Sequence, residues 1–219
     1  MTEYLEVLRR VPLFRGMVDE DIAAALECLG GRTQAYRRGE AVLRAGDPAQ
    51  WLGVVVSGSV QVSREGGDGN RTLMAAIPAG GMFAEAYACA GAHALPVSVW
   101  AGEDCAVLLL DCRRAVGACP APCTFHAQLV ANLLGVLAEK NIFLSRKIEH
   151  LSKRTLAEKL LSYLEEQAAL AGSDSFVIPL DRQALADYLC ADRSALSREI
   201  GRLRREGRLN CQRNRFTLL

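Results

Sequence analysis

The sequence of 219 residues lacks the features that mark several large classes of protein. No apolar run approaches the roughly 20 residues that a membrane-spanning helix needs. The first ten residues carry four charges in place of the apolar core of a secretory signal. Aromatic residues are scarce, yet half of all residues are hydrophobic, which is enough for a sizeable core. We therefore expect a soluble, cytoplasmic protein that does not contact a membrane.

Catalytic and metal-binding patterns are missing as well. The eight cysteines include no Cys-x2-Cys pair, which argues against a zinc ribbon or a thioredoxin-like centre. The three histidines are scattered without the spacing of metal ligands, and the sequence has no phosphate-binding glycine loop. In the cytoplasm most of the thiols are expected to be reduced and to lie in the core. We expect a protein that is not an enzyme and holds no metal.

Positive charge is scarce in most of the chain and concentrated at its end. Residues 1–145 hold 12 basic and 15 acidic side chains, whereas residues 193–219 hold eight arginines and two glutamates. This asymmetry predicts a polyanionic partner at the C-terminal end. An arginine-rich solvated surface would have the same composition, so charge alone leaves both interpretations open.

Short β-prone runs separated by glycine and aspartate dominate residues 34–111. Their near-regular spacing predicts a compact antiparallel barrel or roll. The glycine-rich run Gly66–Asn70 is expected to be a hairpin tip. The predicted strands are Ala41–Ala45, Trp51–Val62, Arg71–Ile77, Val97–Trp100 and Ala106–Leu110.

A long helix is predicted after Pro120 and Pro122. Apolar residues recur at intervals of three, four and seven over about 27 residues, which corresponds to about 40 Å of helix. A stripe of this length is best buried against a second copy of the chain, although one side of an ordinary intramolecular core is the alternative. The predicted dimer seam consists of Leu129, Leu133, Val136 and Ile148, with Phe143 beside it.

A second domain is expected to begin after this helix. Thr155 and Glu158 form a capping box for a helix that runs to Gly172, so residues 152–154 are a plausible hinge. The sequence thus predicts an α+β protein that consists of a β-roll domain with N-terminal helices (1–119), a dimerisation helix (120–151) and a separate basic domain (152–219).

Residues 182–201 predict a helix-turn-helix. Asp181 and Asp192 are expected to cap two short helices that are separated by a three-residue turn, and Gly207 ends the second helix. A hairpin around Arg213–Asn214 would form the wing. The second helix exposes Arg193, Ser194, Ser197 and Arg198 for base edges, and Arg182 and Gln183 at the start of the first helix are expected to contact phosphates.

The order of β-roll, long helix and winged helix-turn-helix closely resembles the cyclic-AMP receptor protein / fumarate-nitrate regulator (Crp/Fnr) superfamily of bacterial transcription factors. The resemblance rests on Gly39–Asp47, Val56–Val62, Gly80–Glu85, Ala138–Arg154 and Asp192–Arg198. It implies a homodimer that binds an inverted repeat in promoter DNA and contacts RNA polymerase. The turn of the motif commonly has glycine where this chain has Cys190. A left-handed backbone would cost the cysteine about 1 kcal/mol.

The sensing site departs from the pattern of the family. Cyclic-nucleotide binders of this family carry Phe-Gly-Glu-Leu and then an Arg-Ser/Thr pair that holds the phosphate. Here Phe83 and Glu85 match, but Leu95 stands at the arginine position and Pro96 at the hydroxyl position. A buried phosphate without a counter-charge is strongly disfavoured. We expect a small organic effector other than cyclic AMP, near Phe83, Glu85, Leu95, Phe143 and Leu144.

Redox, haem or iron–sulfur sensing on the same fold is the alternative. Iron–sulfur regulators of the family gather three cysteines near the N-terminus, where this chain has only Cys28. Other weak candidates for a cluster, a haem ligand or a thiol switch are Cys89, His93, Cys112, Cys119, Cys123 and His126.

Overall fold

The computed structural model describes residues 4–65, 71–116, 123 and 125–219. The chain forms two compact units, Met1–Ala138 and Glu139–Leu219. Antiparallel sheets, a long helix and a C-terminal helix-turn-helix follow one another, which confirms the predicted fold class. The predicted boundaries of the sensing domain, dimerisation helix and DNA-binding domain stay a prediction.

Two four-stranded antiparallel sheets form most of the first unit. Their strand orders are β1-β8-β3-β6 and β2-β7-β4-β5, and Val54 lies opposite Leu108 at the centre of the first sheet. The strands are β1 (Arg32–Tyr36), β2 (Ala41–Leu43), β3 (Trp51–Ser57), β4 (Ser59–Glu65), β5 (Arg71–Pro78), β6 (Met82–Phe83), β7 (Ser98–Ala101) and β8 (Cys105–Asp111). The predicted hairpin tip at 66–70 lies outside the described residues.

One predicted strand is two strands. The apolar run Trp51–Val62 divides at Gly58, and the two halves belong to different sheets. Gly58 has a φ of 68°, and a Cβ there would lie 2.4 Å from the carbonyl oxygen of Asp104. Only glycine fits this turn, so the continuous apolar run conceals the change from one sheet to the other.

The first unit also contains α1 (Leu5–Leu8), α2 (Asp19–Cys28), α3 (Glu85–Cys89), α4 (Cys112–Val116) and the first half of α5 (His126–Leu151). Apolar side chains of the N-terminal segment, including Phe14 and Ile22, share one buried cluster with Leu52 and Leu110 of the first sheet. Pro120 and Pro122, the predicted start of α5, lie outside the described residues.

The buried face of α5 corrects the predicted dimer seam. Leu129, Leu133 and Val136 are 0, 2 and 7% exposed, because they pack into the core of the first unit. They are therefore unavailable to a second copy, and the intramolecular alternative holds for this half of the helix. Ile148, by contrast, is 67% exposed. Leu134, the residue after the buried Leu133, is 62% exposed.

The length and composition of α5 would allow it to cross a membrane, and among the described residues it is the one helix with this property. One such helix is weak evidence for a membrane span, since the core helix of a soluble protein can have the same length and composition.

The second unit contains the rest of α5 and a helical domain with a small sheet. Its elements are α6 (Leu156–Ala171), β9 (Ser175–Val177), α7 (Arg182–Tyr188), α8 (Arg193–Arg205), β10 (Leu209–Gln212) and β11 (Arg215–Leu218). The capping box at Thr155 and Glu158 is present, and Gly172 ends α6 with a φ of 62°. The hydrogen bonds of the box lower the pKa of the Glu158 carboxyl.

Candidate nucleic-acid interface and sensing site

The predicted helix-turn-helix is formed by α7 and α8. The Asp181 carboxylate accepts a hydrogen bond of 2.8 Å from the Ala184 amide and so caps α7. Asp192 takes the N-cap position of α8 with an extended backbone, but its side chain makes no capping hydrogen bond. Cys190, in the turn, has a φ of 53°, so the strain expected for a residue other than glycine at this position is present.

The outer face of α8 carries the predicted base-reading side chains. Arg193, Ser194, Ser197 and Arg198 are all exposed, while Leu196, Ile200 and Leu203 anchor the opposite face in the core. The Ser197 hydroxyl donates to the Arg193 carbonyl at 2.9 Å and keeps its lone pairs available. Arg205, which the sequence reading did not select, follows Arg198 by two helical turns and is also exposed.

Ion pairs separate the arginines of α8 into two groups. Arg202 lies 2.6 Å from carboxylate oxygens of both Glu199 and Glu206, which raises the pKa of Arg202 and lowers the pKa of Glu199. Arg193 and Arg198 have no such carboxylate partner in the described part of the chain. Their charges are therefore available to an external anion, whereas the charge of Arg202 is compensated within the helix.

The two predicted phosphate contacts of α7 differ in their surroundings. Gln183 is exposed and donates to Asp187 within the helix at 2.9 Å. Arg182 is partly buried: its guanidinium lies 5.7 Å from the Phe216 ring and donates to the Arg213 carbonyl at 3.3 Å. Arg182 thus holds the wing against α7, and its contact with a phosphate stays a prediction.

The wing is the predicted hairpin. Strands β10 and β11 pair in register from Leu209 opposite Leu218 to Gln212 opposite Arg215. Arg213 closes the turn with a φ of 55°, and the Asn214 side-chain amide donates to the Ile178 carbonyl at 3.1 Å. These contacts present exposed Arg213 and Arg215 at the tip, next to the reading helix in sequence.

Sequence reasoning missed a polar junction between α5 and α6. His150 is buried, with Nε2 2.9 Å from Glu166 Oε2 and Nδ1 3.1 Å from the Ser162 hydroxyl. Arg146 forms a second contact with Glu166 at 3.1 Å. The junction also borders a cavity of about 420 Å³ whose lining includes Phe143, Tyr163 and Tyr188. It ties α5 to α6 across the predicted hinge at 152–154.

In the first unit, the predicted pocket residues Phe83 and Glu85 lie at the end of β6 and at the start of α3. The Phe83 ring lies against Gly53, where a Cβ would come within 2.0 Å of it. Ala84 adopts a left-handed φ of 61° and precedes α3, whose first residue is the buried Glu85. Alanine therefore takes a conformation that glycine adopts without strain.

Leu95 is a core residue. It is 3% exposed and packs in the same apolar cluster as Phe83, and its amide donates to the Asp47 carbonyl at 2.9 Å. The structure thus brings Phe83 and Leu95 together, with Glu85 directly after Phe83 in the chain. The other two predicted pocket residues, Phe143 and Leu144, belong to the second unit and are more than half exposed. Their part in an effector pocket stays a prediction.

The structure brings two of the predicted metal and redox candidates, Cys89 and Cys112, into contact. The Sγ atoms of Cys89 and Cys112 lie 2.7 Å apart, and Cys123 packs against the same core cluster. His93 is exposed in the loop before β7, and His126 begins α5. Cys119 lies outside the described residues. Within the described ranges, no three histidine, cysteine or acidic side chains gather closely enough to hold a metal ion.

Two family patterns match the chain. Residues 33–114 match the cyclic nucleotide-binding domain, and residues 154–219 match the Crp-like helix-turn-helix domain. Between them the two matches span the β-sheets of the first unit and the whole helix-turn-helix with its wing. The chain belongs to the Crp/Fnr family of transcription regulators.

Individual relatives agree with this Crp/Fnr assignment. The chain is 26% identical over 198 residues to the probable transcriptional regulator flp of Lacticaseibacillus casei, with 90% of this chain and 86% of that protein covered. Among solved structures, the c-di-GMP-responsive global regulator CLP of Xanthomonas campestris is 20% identical, with a TM-score of 0.54 over 90% of this chain and 98% of that one. The sensor domain of the regulator DNR of Pseudomonas aeruginosa, at 17% identity, has a TM-score of 0.54 over 71% and 96%. These two structures share the fold.

Proposed function

We propose that this Crp/Fnr regulator binds an inverted repeat in promoter DNA as a homodimer. The observation that carries the proposal is the outer face of α8, where Arg193 and Arg198 are exposed and have no acidic partner in the described part of the chain. Arginine is the side chain best suited to guanine O6 and N7 in the major groove. The exposed Ser194 and Ser197 supply hydroxyls to bases or phosphates beside them.

The exposed side of α5 supports a homodimer through a different seam from the predicted one. Leu134, Leu137, Asn141, Leu144, Ile148 and Leu151 repeat at alternating intervals of three and four. This is the heptad pattern of a two-stranded coiled coil, and a single Asn at such a position fixes register and strand number. We name these six residues the outer seam; four of them are exposed and the other two half-buried.

DNA selection and a matched pair of arginine variants test the DNA-binding part. Selection from random duplexes is expected to return two half-sites about one helical turn apart, as two-fold symmetry requires. Arg198→Ala is expected to weaken binding by about 1–3 kcal/mol and to relax preference at one base pair of each half-site. Arg202→Ala removes the same charge from the same helix but from an internal ion pair, so it is expected to have the smaller effect. Equal effects of the two variants would contradict the assigned face.

We further propose that the effector is a small uncharged or cationic organic molecule and that cyclic AMP and cyclic GMP are not effectors. The support is Leu95, which occupies with a buried apolar side chain the position where nucleotide binders of the family carry arginine. Loss of one partner of a buried ion pair costs about 3–5 kcal/mol, or roughly two to four powers of ten in Kd.

Titration calorimetry with cyclic AMP tests this second part. We expect no saturable binding with a Kd tighter than about 100 µM. Saturable binding below that concentration would show that another basic residue holds the phosphate. We also propose that the protein acts in the cytoplasm, which the family assignment supports, and that promoter binding changes transcription through contact with RNA polymerase.

A further inference from the structure

Two cysteines of the first unit are in direct contact. The Sγ atoms of Cys89 and Cys112 lie 2.7 Å apart, which is only about 0.7 Å longer than a disulfide bond. The residues are 23 positions apart in the sequence and come from different helices. A small movement of either side chain would therefore bring the two sulfurs within bonding distance.

The pair lies between α3, which follows Phe83 and Ala84 in the proposed sensing segment (residues 83–89), and α4, which follows β8. Cys89 is the last residue of α3, which begins at Glu85 directly after Phe83 and Ala84. Cys112 is the first residue of α4, directly after β8, and its amide donates to the Gln50 carbonyl at 3.2 Å. Helices α3 and α4 pack against each other, so a bond between the sulfurs would add a covalent link between two elements that are already in contact.

The two thiols differ in access and in acidity. Cys89 is partly exposed, whereas Cys112 is completely buried. The hydrogen bond between the two sulfurs lowers the pKa of Cys89 and, together with burial, raises the pKa of Cys112. The accessible sulfur is thus the more readily deprotonated of the two.

We propose that Cys89 and Cys112 are an oxidation site that an oxidant of the hydroperoxide class converts into an intrachain disulfide. The Cys89 thiolate attacks the terminal oxygen of the hydroperoxide; the O–O bond breaks, Cys89 becomes a sulfenic acid and an alkoxide or hydroxide leaves and takes a proton from water. The Cys112 sulfur then attacks the Cys89 sulfur, and its proton leaves with the sulfenic oxygen as water. The thiols lose two electrons, and the hydroperoxide gains them.

A disulfide at this site is expected to restrict α3 relative to α4 and thus to alter the sensing segment. Its effect on transcription rests on the proposed DNA-binding function. We expect oxidation of the cysteine pair to be coupled to DNA binding. The DNA affinities of the oxidised and reduced proteins should then differ by about fivefold or more, which is the lower end of ordinary coupling between two sites.

Mass mapping of the full-length protein after treatment with hydrogen peroxide tests the site without reference to DNA. We expect the loss of two hydrogens and a peptide crosslink between Cys89 and Cys112, both reversed by a dithiol reductant. Cys105→Ala is the matched control, because Cys105 is a buried thiol of the same unit in a different core cluster; it should leave the crosslink intact. No crosslink, or a crosslink of Cys89 to any other cysteine, would overturn the proposal.

Two further variants separate the roles of the sulfurs. In Cys112→Ala the sulfenic acid at Cys89 should accumulate and react with a cyclic dione probe, whereas Cys89→Ser should leave Cys112 unlabelled. Labelling of Cys112 in Cys89→Ser would reverse the roles and contradict the mechanism. DNA titrations of the reduced and oxidised protein then test regulation. Equal affinities in the two states would refute regulation through this site. Absence of DNA binding in both states would refute the proposed function, while the mass mapping would still decide whether the disulfide forms.

Discussion

The helix-turn-helix and the proposed sensing region differ in whether charged side chains are exposed or replaced by apolar ones. In the helix-turn-helix, Arg193 and Arg198 remain exposed on α8 and have no acidic partner in the described chain. In the sensing unit, the position that holds arginine in nucleotide binders is Leu95, which is buried among apolar side chains. A surface that reads DNA must keep its charges, because phosphates and base edges are the partners that DNA offers. The apolar packing of Leu95 fits the uncharged or cationic effector that we propose.

Substitutions on the two faces of α5 are expected to have the largest effect and to separate folding from assembly. Leu133→Asp buries an unpaired carboxylate in the core of the first unit and should cost several kcal/mol, enough to unfold it. Leu134→Asp, one residue on, places the charge in the outer seam and should give folded monomers. Both tryptophans, Trp51 and Trp100, lie in the first unit, so their fluorescence reports its unfolding.

Sedimentation at micromolar concentration supplies the second measurement for this pair. The wild type is expected to be a dimer and Leu134→Asp a monomer with native tryptophan fluorescence. A dimeric Leu134→Asp variant with native fluorescence would remove Leu134 from the seam.

Alanine substitutions at Leu95 and Arg198 compare the proposed sensing region with the helix-turn-helix directly. Leu95→Ala is expected to lower the free energy of unfolding of the first unit by about 2–5 kcal/mol, because it leaves a cavity in the core. Arg198→Ala should change the stability of the protein by less than about 0.5 kcal/mol while it weakens DNA binding. Urea unfolding followed by tryptophan fluorescence for Leu95→Ala, and by circular dichroism for Arg198→Ala, measures both. A Leu95→Ala variant as stable as wild type would show that this position is not part of the core.

The junction between α5 and α6 should be sensitive at its buried histidine and tolerant at its surface arginine. His150→Leu removes two hydrogen bonds from a buried site and is expected to cost about 1–3 kcal/mol. Arg146→Gln breaks an exposed ion pair with the same Glu166 and should cost less than about 1 kcal/mol. Calorimetric unfolding of the second unit is the measurement, and equal losses for the two variants would contradict the importance of burial.

The smallest expected effects come from the strained turns, one in each region. Cys190→Gly and Ala84→Gly should each raise the free energy of unfolding by about 0.5–1 kcal/mol, since glycine adopts the left-handed backbone without strain. Ala86→Gly, inside α3 and without a positive φ of its own, is the control and should lower it by a similar amount. Destabilisation by both turn variants would show that the side chains of Ala84 and Cys190 stabilise the turns more than the backbone strains them.

Local sequence patterns were sufficient wherever the determining contacts are local. The capping box at Thr155, the α7 cap at Asp181 and the hairpin at Arg213–Asn214 follow from residues a few positions apart, so the sequence alone determined the helix-turn-helix and its wing. The two family matches also agree with the predicted order of the domains, with the β-sheet domain before the helix-turn-helix.

Only the tertiary structure decided which of two neighbouring leucines of α5 lies inside. Leu133 and Leu134 belong to equally apolar stripes of one helix, and the difference arises because the N-terminal helices and first sheet cover one stripe. The turn at Gly58, the junction at His150 and the contact of Cys89 with Cys112 likewise depend on groups far apart in the chain. A periodic pattern shows that a face is apolar, but the free energy of burial depends on what packs against that face, and distant segments supply that partner.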